Sequence, residues 1–316
     1  MRRTRTTGFM REFFGESRIL NDNLIMPVFV DENLDGRRPI DSMPGIYRHG
    51  LDELHSYLSG LSEVGIKYVL LFGIPSRKDS SGSSAYDGNG VVQQALRIAS
   101  EVEDMMAIPD LCMCEYTDSG HCGILSGQTV DNDLTLDSYG KIAVSYAASG
   151  AGMIAPSGMM DGQVAAIREA LDKEGFEQVS ILAYSAKYAS TLYSPFREAA
   201  DSTPSFGDRK SYQMDPANMY QALREIELDI EEGADMVMVK PALFYLDVLA
   251  MAKETFRFPT AAYSVSAEYS MLLNAVGRGI VPQGAITEAV ASIFRAGADK
   301  VITYFAEMLA SGNLSD

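Results

Sequence analysis

The chain has 316 residues, of which 47% are hydrophobic and 22% are charged, and its formal net charge is −17. This composition is typical of a globular protein with enough apolar material for a large core, so no disulfide framework is needed. The negative charge argues against nucleic acid as a partner, because phosphate contact requires a basic face. No apolar run approaches the roughly 20 residues that a membrane-spanning helix needs, so no membrane partner is expected.

The first segment, MRRTRTTGFMREFF, is basic but lacks the uninterrupted apolar stretch of an export signal. We interpret it as part of the mature protein, and we predict that residues 1–20 form an arm that packs on another subunit. The odd number of cysteines, three, fits reduced thiols better than disulfides. A cytoplasmic location, or a comparable reducing compartment, is therefore expected.

Eight short apolar runs follow one another along the chain, each separated from the next by a loop and a helical pattern. Runs that are apolar throughout are typical of strands buried on both faces of a parallel sheet. The predicted strands are residues 23–30, 67–73, 105–111, 152–157, 179–185, 235–241, 260–265 and 300–305.

Amphipathic helices are predicted between these strands, in residues 51–65, 162–175, 219–234 and 287–298 among others. Four helical patterns end in glycine shortly before a strand (EVGIKYV, ASGAGMI, EEGADMV and RAGADKV), as the αβ turn of a βα unit does. Eight βα units predict an α/β protein with a (β/α)₈ TIM barrel, here over residues 21–316. A doubly wound open sheet is the alternative, but no GxGxxG motif follows the first strand.

All three cysteines lie in one loop after the third predicted strand, in DLCMCEYTDSGHCG, with the spacing C-x-C-x₇-C. Buried inert thiols are one interpretation. The polar surroundings favour a metal site, and three thiolates suit Zn²⁺. We predict an open zinc centre formed by Cys112, Cys114 and Cys122, with Asp110 and His121 close behind the ligands. His121 is the alternative fourth ligand.

Two lysines occupy neighbouring strand ends. Lys240 follows four apolar residues in MVMVKP, and Lys187 follows the fifth predicted strand in YSAKYAS. Burial and a second ammonium both disfavour the charged amine, so at least one lysine is predicted to be neutral near pH 7. Such an amine can attack a carbonyl and form a Schiff base, whereas the bland alternative is a lysine that reaches solvent.

Polar groups at the same end of the barrel indicate a small carboxylate as substrate. Ser157, Ser266 and Tyr304 lie at or after strand ends. A second overlong loop, residues 194–216, adds Arg197, Arg209, Lys210 and Gln213. Arginine provides planar, bidentate recognition of carboxylates, although a single arginine is most often a solvated surface charge.

These motifs together resemble the porphobilinogen synthase family, also called 5-aminolevulinate dehydratase, over nearly the whole chain. The segments that carry the resemblance are MPGI (43–46), DLCMCEYTDSGHCG (110–123), DNDLTL (131–136), APSGMMDGQVAAIREALD (155–172), YSAKYAS (184–190), PFREAA (195–200), GDRKSYQM (207–214), GADMVMVKPA (233–242) and YSVSAEYSM (263–271).

The resemblance implies a homo-octamer that condenses two 5-aminolevulinate molecules into porphobilinogen and releases two waters, a step of tetrapyrrole (heme) synthesis. Both lysines would form Schiff bases, Lys240 on the propionate side of the product and Lys187 on the acetate side. Arg197, Arg209 and Gln213 would bind the acetate-side carboxylate. Ser266 and Tyr304 would bind the propionate-side carboxylate. The three cysteines would hold a catalytic zinc.

The resemblance also implies an allosteric Mg²⁺ held by Glu225, with Arg5 from a neighbour's arm as its partner. The segment SAEYS after the seventh predicted strand departs from the SGEYA that we expect of the family. Two other hypotheses stay open at this point. One is a class I aldolase, which shares the barrel and the lysine but needs no thiolate zinc. The other is a zinc-binding scaffold protein on the same fold, which forms no imine.

Overall fold

The computed structural model describes residues 1–312. Within them the strands are β1 (Leu24–Asp31), β2 (Arg37–Pro39), β3 (Tyr47–His49), β4 (Tyr68–Ile74), β5 (Met106–Leu111), β6 (Leu125–Ser126), β7 (Thr129–Val130), β8 (Met153–Pro156), β9 (Ser180–Lys187), β10 (Met236–Lys240), β11 (Thr260–Ser264) and β12 (Lys300–Thr303).

The α-helices of the same residues are α1 (Gly8–Phe13), α2 (Leu51–Glu63), α3 (Val91–Ala99), α4 (Asn132–Ala148), α5 (Gln163–Lys173), α6 (Ser194–Ala199), α7 (Tyr220–Glu231), α8 (Leu246–Phe256), α9 (Ser266–Gly277), α10 (Gly284–Arg295) and α11 (Ala306–Ala310). Among these helices none combines the length and the apolar character that crossing a membrane requires.

Eight parallel strands form a closed barrel in the order β1, β4, β5, β8, β9, β10, β11, β12, and β12 pairs with β1 to complete it. All eight residues of β1 are buried. Strands of this kind read as apolar throughout because side chains pack on both the inner and the outer face of the barrel. The (β/α)₈ barrel predicted from the sequence is confirmed.

The helices cover the outside of the barrel with one apolar face each. In α2, for example, the buried residues are Leu54, Leu58 and Leu61, which share a face at helical spacing. The glycines that end four predicted helices have φ angles of 91°, 101°, 104° and 114°, in the left-handed region that favours glycine. They are Gly65, Gly150, Gly233 and Gly297.

Three local features differ from the prediction. Strand β9 extends to Lys187, two residues beyond the predicted end, because its last residue still pairs with β10. The overlong loop at 194–216 begins with a short helix, α6. A β2–β3 hairpin also adds to the sheet at β1, outside the barrel.

Residues 1–20 lie before the barrel and contain a 3₁₀ turn (Arg2–Arg5) and helix α1. The side chains of Phe9 and Phe13 are 85% and 77% exposed. Several exposed apolar rings in one short segment are typical of a surface that contacts another molecule. The last four residues of the predicted barrel domain, 313–316, lie outside the described residues.

Candidate active site at the carboxyl ends of the barrel strands

Lys187 and Lys240 are the last residues of neighbouring strands, and the register of β9 and β10 places them directly beside each other. Both are buried, with 5% and 4% of their surface exposed. Between Ala183 and Ala186, β9 has one more residue than the facing part of β10, which is a β-bulge. Consequently Tyr184, three residues before Lys187, also approaches the lysines, although strict alternation would direct it to the other face.

The Lys240 ammonium lies among four aromatic rings, which we call the aromatic cage. Its Nζ is 4.1 Å from the centroid of Tyr263, 5.1 Å from those of Tyr184 and Phe196, and 5.2 Å from that of Tyr193. Burial in this cage, with the nearby Lys187 charge, lowers the pKa of Lys240 to about 7. A large fraction of this amine is therefore neutral and nucleophilic at neutral pH.

Lys187 is connected to the neighbouring strands through Ser157, which directly follows β8. The Lys187 Nζ donates to the backbone carbonyl oxygen of Ser157. The Ser157 hydroxyl donates at 2.9 Å to Oδ2 of Asp110, on β5. Burial raises the pKa of the Asp110 carboxyl. A group in this position can exchange a proton with a bound substrate beside the lysines.

The three cysteines converge in the loop after β5, which we call the cysteine loop (residues 112–131). Their Sγ atoms all lie within 4.8 Å of one another, and Cys112 and Cys114 are 3.4 Å apart. All three are buried, despite the polar sequence around them. The spacing fits one ion bound about 2.3 Å from each sulfur, and soft thiolates suit zinc among the common divalent ions. The cluster can therefore hold a metal ion.

Side chains from other elements hold the cysteine loop in place. Tyr139 of α4 donates at 2.6 Å to the carbonyl oxygen of Cys122. Its hydroxyl lies 1.6 Å from where a Cβ on Gly158 would be, so only glycine fits at residue 158. On the other side, the Cys122 amide donates at 3.4 Å to the Tyr212 hydroxyl.

His121 does not join the three sulfurs, because both its ring nitrogens have partners elsewhere. Its Nδ1 is 3.1 Å from the Tyr212 hydroxyl, and its Nε2 is 3.1 Å from the carbonyl oxygen of Phe206. The fourth-ligand alternative thus receives no support from this geometry. His121 instead lies behind Cys122, to which the Tyr212 hydroxyl connects it.

The predicted loop at 194–216, which we call the arginine loop, brings Arg197 and Arg209 toward the cysteines. Arg209 is 5% exposed, and its Nη2 donates to the carbonyl oxygen of Gly120 at 2.9 Å. Burial and the neighbouring Arg209 charge lower the pKa of Arg197. Within residues 1–312, the Nε atoms of both arginines are buried without a hydrogen-bond partner. One buried and one half-buried guanidinium, each with a free Nε donor, are suited to an anionic ligand.

Ser266 and Tyr304 adjoin two residues of the aromatic cage, Phe196 and Tyr263. Ser266 begins α9, and its Oγ accepts the Phe196 amide at 3.0 Å. Tyr304 directly follows β12, and its hydroxyl is 3.0 Å from that of Tyr263. The structure thus brings together the predicted lysines, arginines, serine and tyrosine at one end of the barrel.

Gln213 and Glu225 line a different space, a cavity of about 540 Å³ between the arginine loop and α7. Both polar side-chain atoms of Gln213 are buried without a partner among the described residues. Burial, together with Asp161 and Glu232, raises the pKa of Glu225. Within residues 1–312, no contact joins Glu225 to Arg5, which lies in the arm.

The rings of the aromatic cage were not predicted as site residues. A tyrosine in a strand is most often simply core, so a single one carries no signal. The feature of the sequence that could have indicated the cage is that Tyr184 and Tyr263 both lie near the carboxyl ends of the predicted strands that flank Lys240. Tyr193 and Phe196 belong to the turn and helix after β9, whose fold over the lysines only the structure reveals.

The fold and the site together define a (β/α)₈-barrel enzyme that pairs two buried lysines with a cysteine cluster. A family model described as delta-aminolevulinic acid dehydratase matches residues 1–312. The chain belongs to this family, and it is therefore an enzyme, a hydro-lyase. The family predicted from the sequence is confirmed, together with its dehydratase activity.

Relatives and a solved structure agree with this assignment. Delta-aminolevulinic acid dehydratases from Methanothermus sociabilis and Archaeoglobus fulgidus are 52% and 53% identical, over 97% and 98% of this chain and 96% of each relative. The Bacillus subtilis enzyme of the same name is 48% identical over 97% of this chain and 95% of its own. The crystal structure of porphobilinogen synthase from Toxoplasma gondii, in complex with porphobilinogen, superposes with a TM-score of 0.95 at 41% identity, over 98% of this chain and 90% of that one.

Proposed function

We propose that the chain joins two molecules of 5-aminolevulinate into porphobilinogen, with loss of two waters, through Schiff bases on Lys187 and Lys240. The observation that carries this proposal is the register that sets the two buried lysines side by side at the barrel mouth. Two amines this close together can hold two ketone substrates within reach of each other. Membership of the family supports the same reaction.

Lys240 supplies the more reactive amine. Its lowered pKa, about 7, leaves the nitrogen lone pair free to attack the ketone carbon. The carbinolamine then loses water, so that one C=N bond replaces one C=O bond. Asp110 and the Ser157 hydroxyl, which lie beside Lys187, are placed to take up and return the protons of these steps.

Each of the two substrates carries a carboxylate, and each carboxylate needs its own positively charged or hydrogen-bonding partners. Arg197 and Arg209 have free buried Nε donors and would bind the acetate-side carboxylate. Gln213 is proposed as a further polar contact because both its polar side-chain atoms lack a partner among the described residues, although it also lines the cavity beside α7. Ser266 and Tyr304, which adjoin the aromatic cage around Lys240, would bind the propionate-side carboxylate through their hydroxyl groups.

The ion at the cysteine cluster is proposed to be zinc, with Cys112, Cys114 and Cys122 as ligands and His121 supporting the loop behind them. A zinc ion there would supply an open coordination position and a positive charge that favours an unprotonated amine on the second substrate. The protein's part is to keep the three thiols together in a buried loop held by Tyr139 and Tyr212.

We further propose an allosteric Mg²⁺ at Glu225 and a homo-octamer whose arms, residues 1–20, pack on neighbouring subunits. The exposed rings of Phe9 and Phe13 support a protein partner for the arm, since their burial would be favourable. The three reduced cysteines support a cytoplasmic location.

The decisive experiment is porphobilinogen formation from 5-aminolevulinate, with and without a zinc chelator. Activity that chelation removes and zinc restores would join the cysteines and the lysines in one mechanism. Activity that is unchanged by the chelator would refute a catalytic role for exchangeable zinc. Borohydride trapping with 5-aminolevulinate then separates the alternatives: an aldolase is trapped by its own donor substrate instead, and a scaffold protein by neither.

A further inference from the structure

Two cations from outside the arginine loop contact the carboxyl end of its helix, α6. Arg48 of β3 donates from Nη2 to the carbonyl oxygen of Glu198. Lys78, in the loop after β4, donates from Nζ to the carbonyl oxygen of Asp201 and, at 2.8 Å, to the Asp201 carboxylate. The last carbonyls of a helix carry partial negative charge, so Arg48 at Glu198 stabilises that end of α6. Lys78 binds the chain two residues beyond the helix.

Arg48 is itself held by the barrel. Its Nη1 lies 3.3 Å from Oδ2 of Asp31, the buried last residue of β1. The same carboxylate oxygen also accepts from Arg38 of β2 at 3.2 Å. Because its guanidinium is also paired with Asp31 of the barrel, Arg48 contacts α6 from a fixed position and does not move with the arginine loop.

Lys78 is anchored to the cysteine loop through the next residue, Asp79. The Asp79 amide donates to the carbonyl oxygen of Tyr116, and its carbonyl oxygen accepts the Asp118 amide, both at 3.2 Å. The Asp79 carboxylate further accepts the amides of Ser81 and Ser83, each at 3.0 Å, which gives the loop after β4 a fixed shape. Lys78 therefore extends from a rigid base toward the arginine loop.

Between these two contacts and the lysines lie Phe196 and Arg197. The Phe196 ring closes the aromatic cage at 5.1 Å from the Lys240 Nζ. Arg197 carries the free buried Nε described above. Asp201 has a φ of 49°, so the chain turns away from the helix at the residue that Lys78 binds. Any movement of this end moves both site residues.

We propose that Arg48 and Lys78 are positioning residues, which clamp α6 over the lysine pair and thereby set the affinity for substrate. They touch neither lysine, and they act through Phe196 and Arg197. The proposal rests on the substrate-binding role proposed for Arg197.

The test is a double-mutant cycle of Lys78→Gln, which removes the charge, and Asp201→Asn, which is isosteric and tolerates the left-handed backbone at residue 201. The matched control is Arg77→Gln, because Arg77 is the preceding cation, is 78% exposed and pairs with Asp79 rather than with the arginine loop. Arg48→Gln tests the second contact, since Arg38 still pairs with Asp31 in that variant.

Two measurements are made on the full-length protein. The first is amide hydrogen exchange of residues 198–205 without substrate, expected to accelerate about three- to tenfold in Lys78→Gln and Asp201→Asn, while β10 stays protected. The second is steady-state kinetics with 5-aminolevulinate. There KM is expected to rise by a similar factor, about three- to tenfold, with kcat nearly constant, because the clamp acts on binding rather than on chemistry.

The double variant should then be no worse than either single one, and the Arg77→Gln control should match the wild type in both measurements. Unchanged exchange in residues 198–205, or faster exchange with an unchanged KM, would overturn the clamp. Faster exchange throughout the barrel would also overturn it, because that result would reflect a general loss of stability. Hydrogen exchange needs no turnover, so failure of the clamp can be told apart from failure of the proposed reaction.

Discussion

Lys240 owes its reactivity to what surrounds its Nζ rather than to its neighbours along the chain. Four aromatic rings from β9, β11, the turn after β9 and helix α6 remove water from around the amine. Desolvation is the largest cause of its lowered pKa, and the Lys187 charge comes second. Together they make this one amine a candidate nucleophile at neutral pH.

Replacing Lys240 with alanine should abolish turnover, because the imine to the first substrate can no longer form. We expect a loss of about 10⁴-fold or more in kcat. The check is a porphobilinogen assay together with mass spectrometry of the borohydride-trapped peptide. Lys300→Ala is the matched control, since Lys300 lies over the Tyr68 ring at the other end of the barrel. Near-normal turnover in Lys240→Ala would refute the assignment.

Imine formation on Lys240 should depend on pH in a defined direction. The pKa of about 7 means that the amine gains a proton below this value and loses it above. Trapping at limiting substrate should therefore rise about tenfold between pH 6 and pH 8 and then level off. A trapping rate that keeps rising up to pH 10 would indicate an ordinary lysine and contradict the desolvated amine.

At the scale of elements, the cysteine loop gathers three thiols that the sequence spreads over eleven residues. Tyr139 from α4 and Tyr212 from the arginine loop bond to the backbone of Cys122. Asp79, in the loop after β4, holds its middle through the backbone at Tyr116 and Asp118. The loop is therefore a fixed part of the barrel mouth, able to receive a metal without a large rearrangement.

Converting Cys112 and Cys114 to alanine should remove both bound zinc and activity. We expect turnover to fall about 100-fold or more, since loss of an outer-sphere partner alone typically costs 10–100-fold. Zinc content by atomic absorption, beside the activity assay, provides the check. Met113→Leu is the control, because Met113 is buried between the two cysteines and offers no thiolate. Full activity without bound metal would exclude the zinc role.

Helix α7 carries the proposed magnesium ligand on its partly buried side. Glu225→Gln should blunt any activation by Mg²⁺ and leave basal turnover, because the residue lines a cavity apart from the two lysines. Activity titrated against Mg²⁺ measures this effect. Glu227→Gln on the same helix is the control, since Glu227 is paired with Arg224. An activation curve unaltered in Glu225→Gln would place the ion elsewhere.

At the scale of the whole molecule, the arm is the part with least contact to its own barrel. Its α1 helix has no buried residue, and it presents Phe9 and Phe13 to solvent. Burying one such ring is worth about 2 kcal/mol, so two rings per subunit contribute substantially to an assembly. The arm is therefore where the quaternary structure can be tested.

If the proposed octamer forms through the arms, replacing Phe9 and Phe13 with serine should shift the protein toward smaller assemblies, because each arm loses its apolar contact. Sedimentation velocity at several protein concentrations would measure the shift. Phe244→Ser is the control, as its ring is also exposed, at 66%, but lies outside the arm. An assembly size identical to that of the wild type would argue against the arm as the contact.

Much of the barrel could be predicted from the sequence, because the information for it is local and repeated. Eight apolar runs mark strands with two covered faces, and glycines such as Gly233 and Gly297 end helices with a positive φ. The site residues on the strands could also be predicted from the sequence, since the carboxyl ends of parallel strands meet at one end of a barrel. Motif spacing alone placed Cys112, Cys114 and Cys122 in one loop.

What only the tertiary structure decided depends on contacts between residues far apart in the chain. The bulge in β9 brings Tyr184 to the same side as Lys187, and no periodic pattern announces one extra residue. The hydrogen bond between Lys78 and Asp201 joins residues that are 123 positions apart in the sequence. A strand's apolar pattern is a property of the strand itself, whereas a desolvated amine or a clamped loop exists only after the barrel closes and brings its partners together.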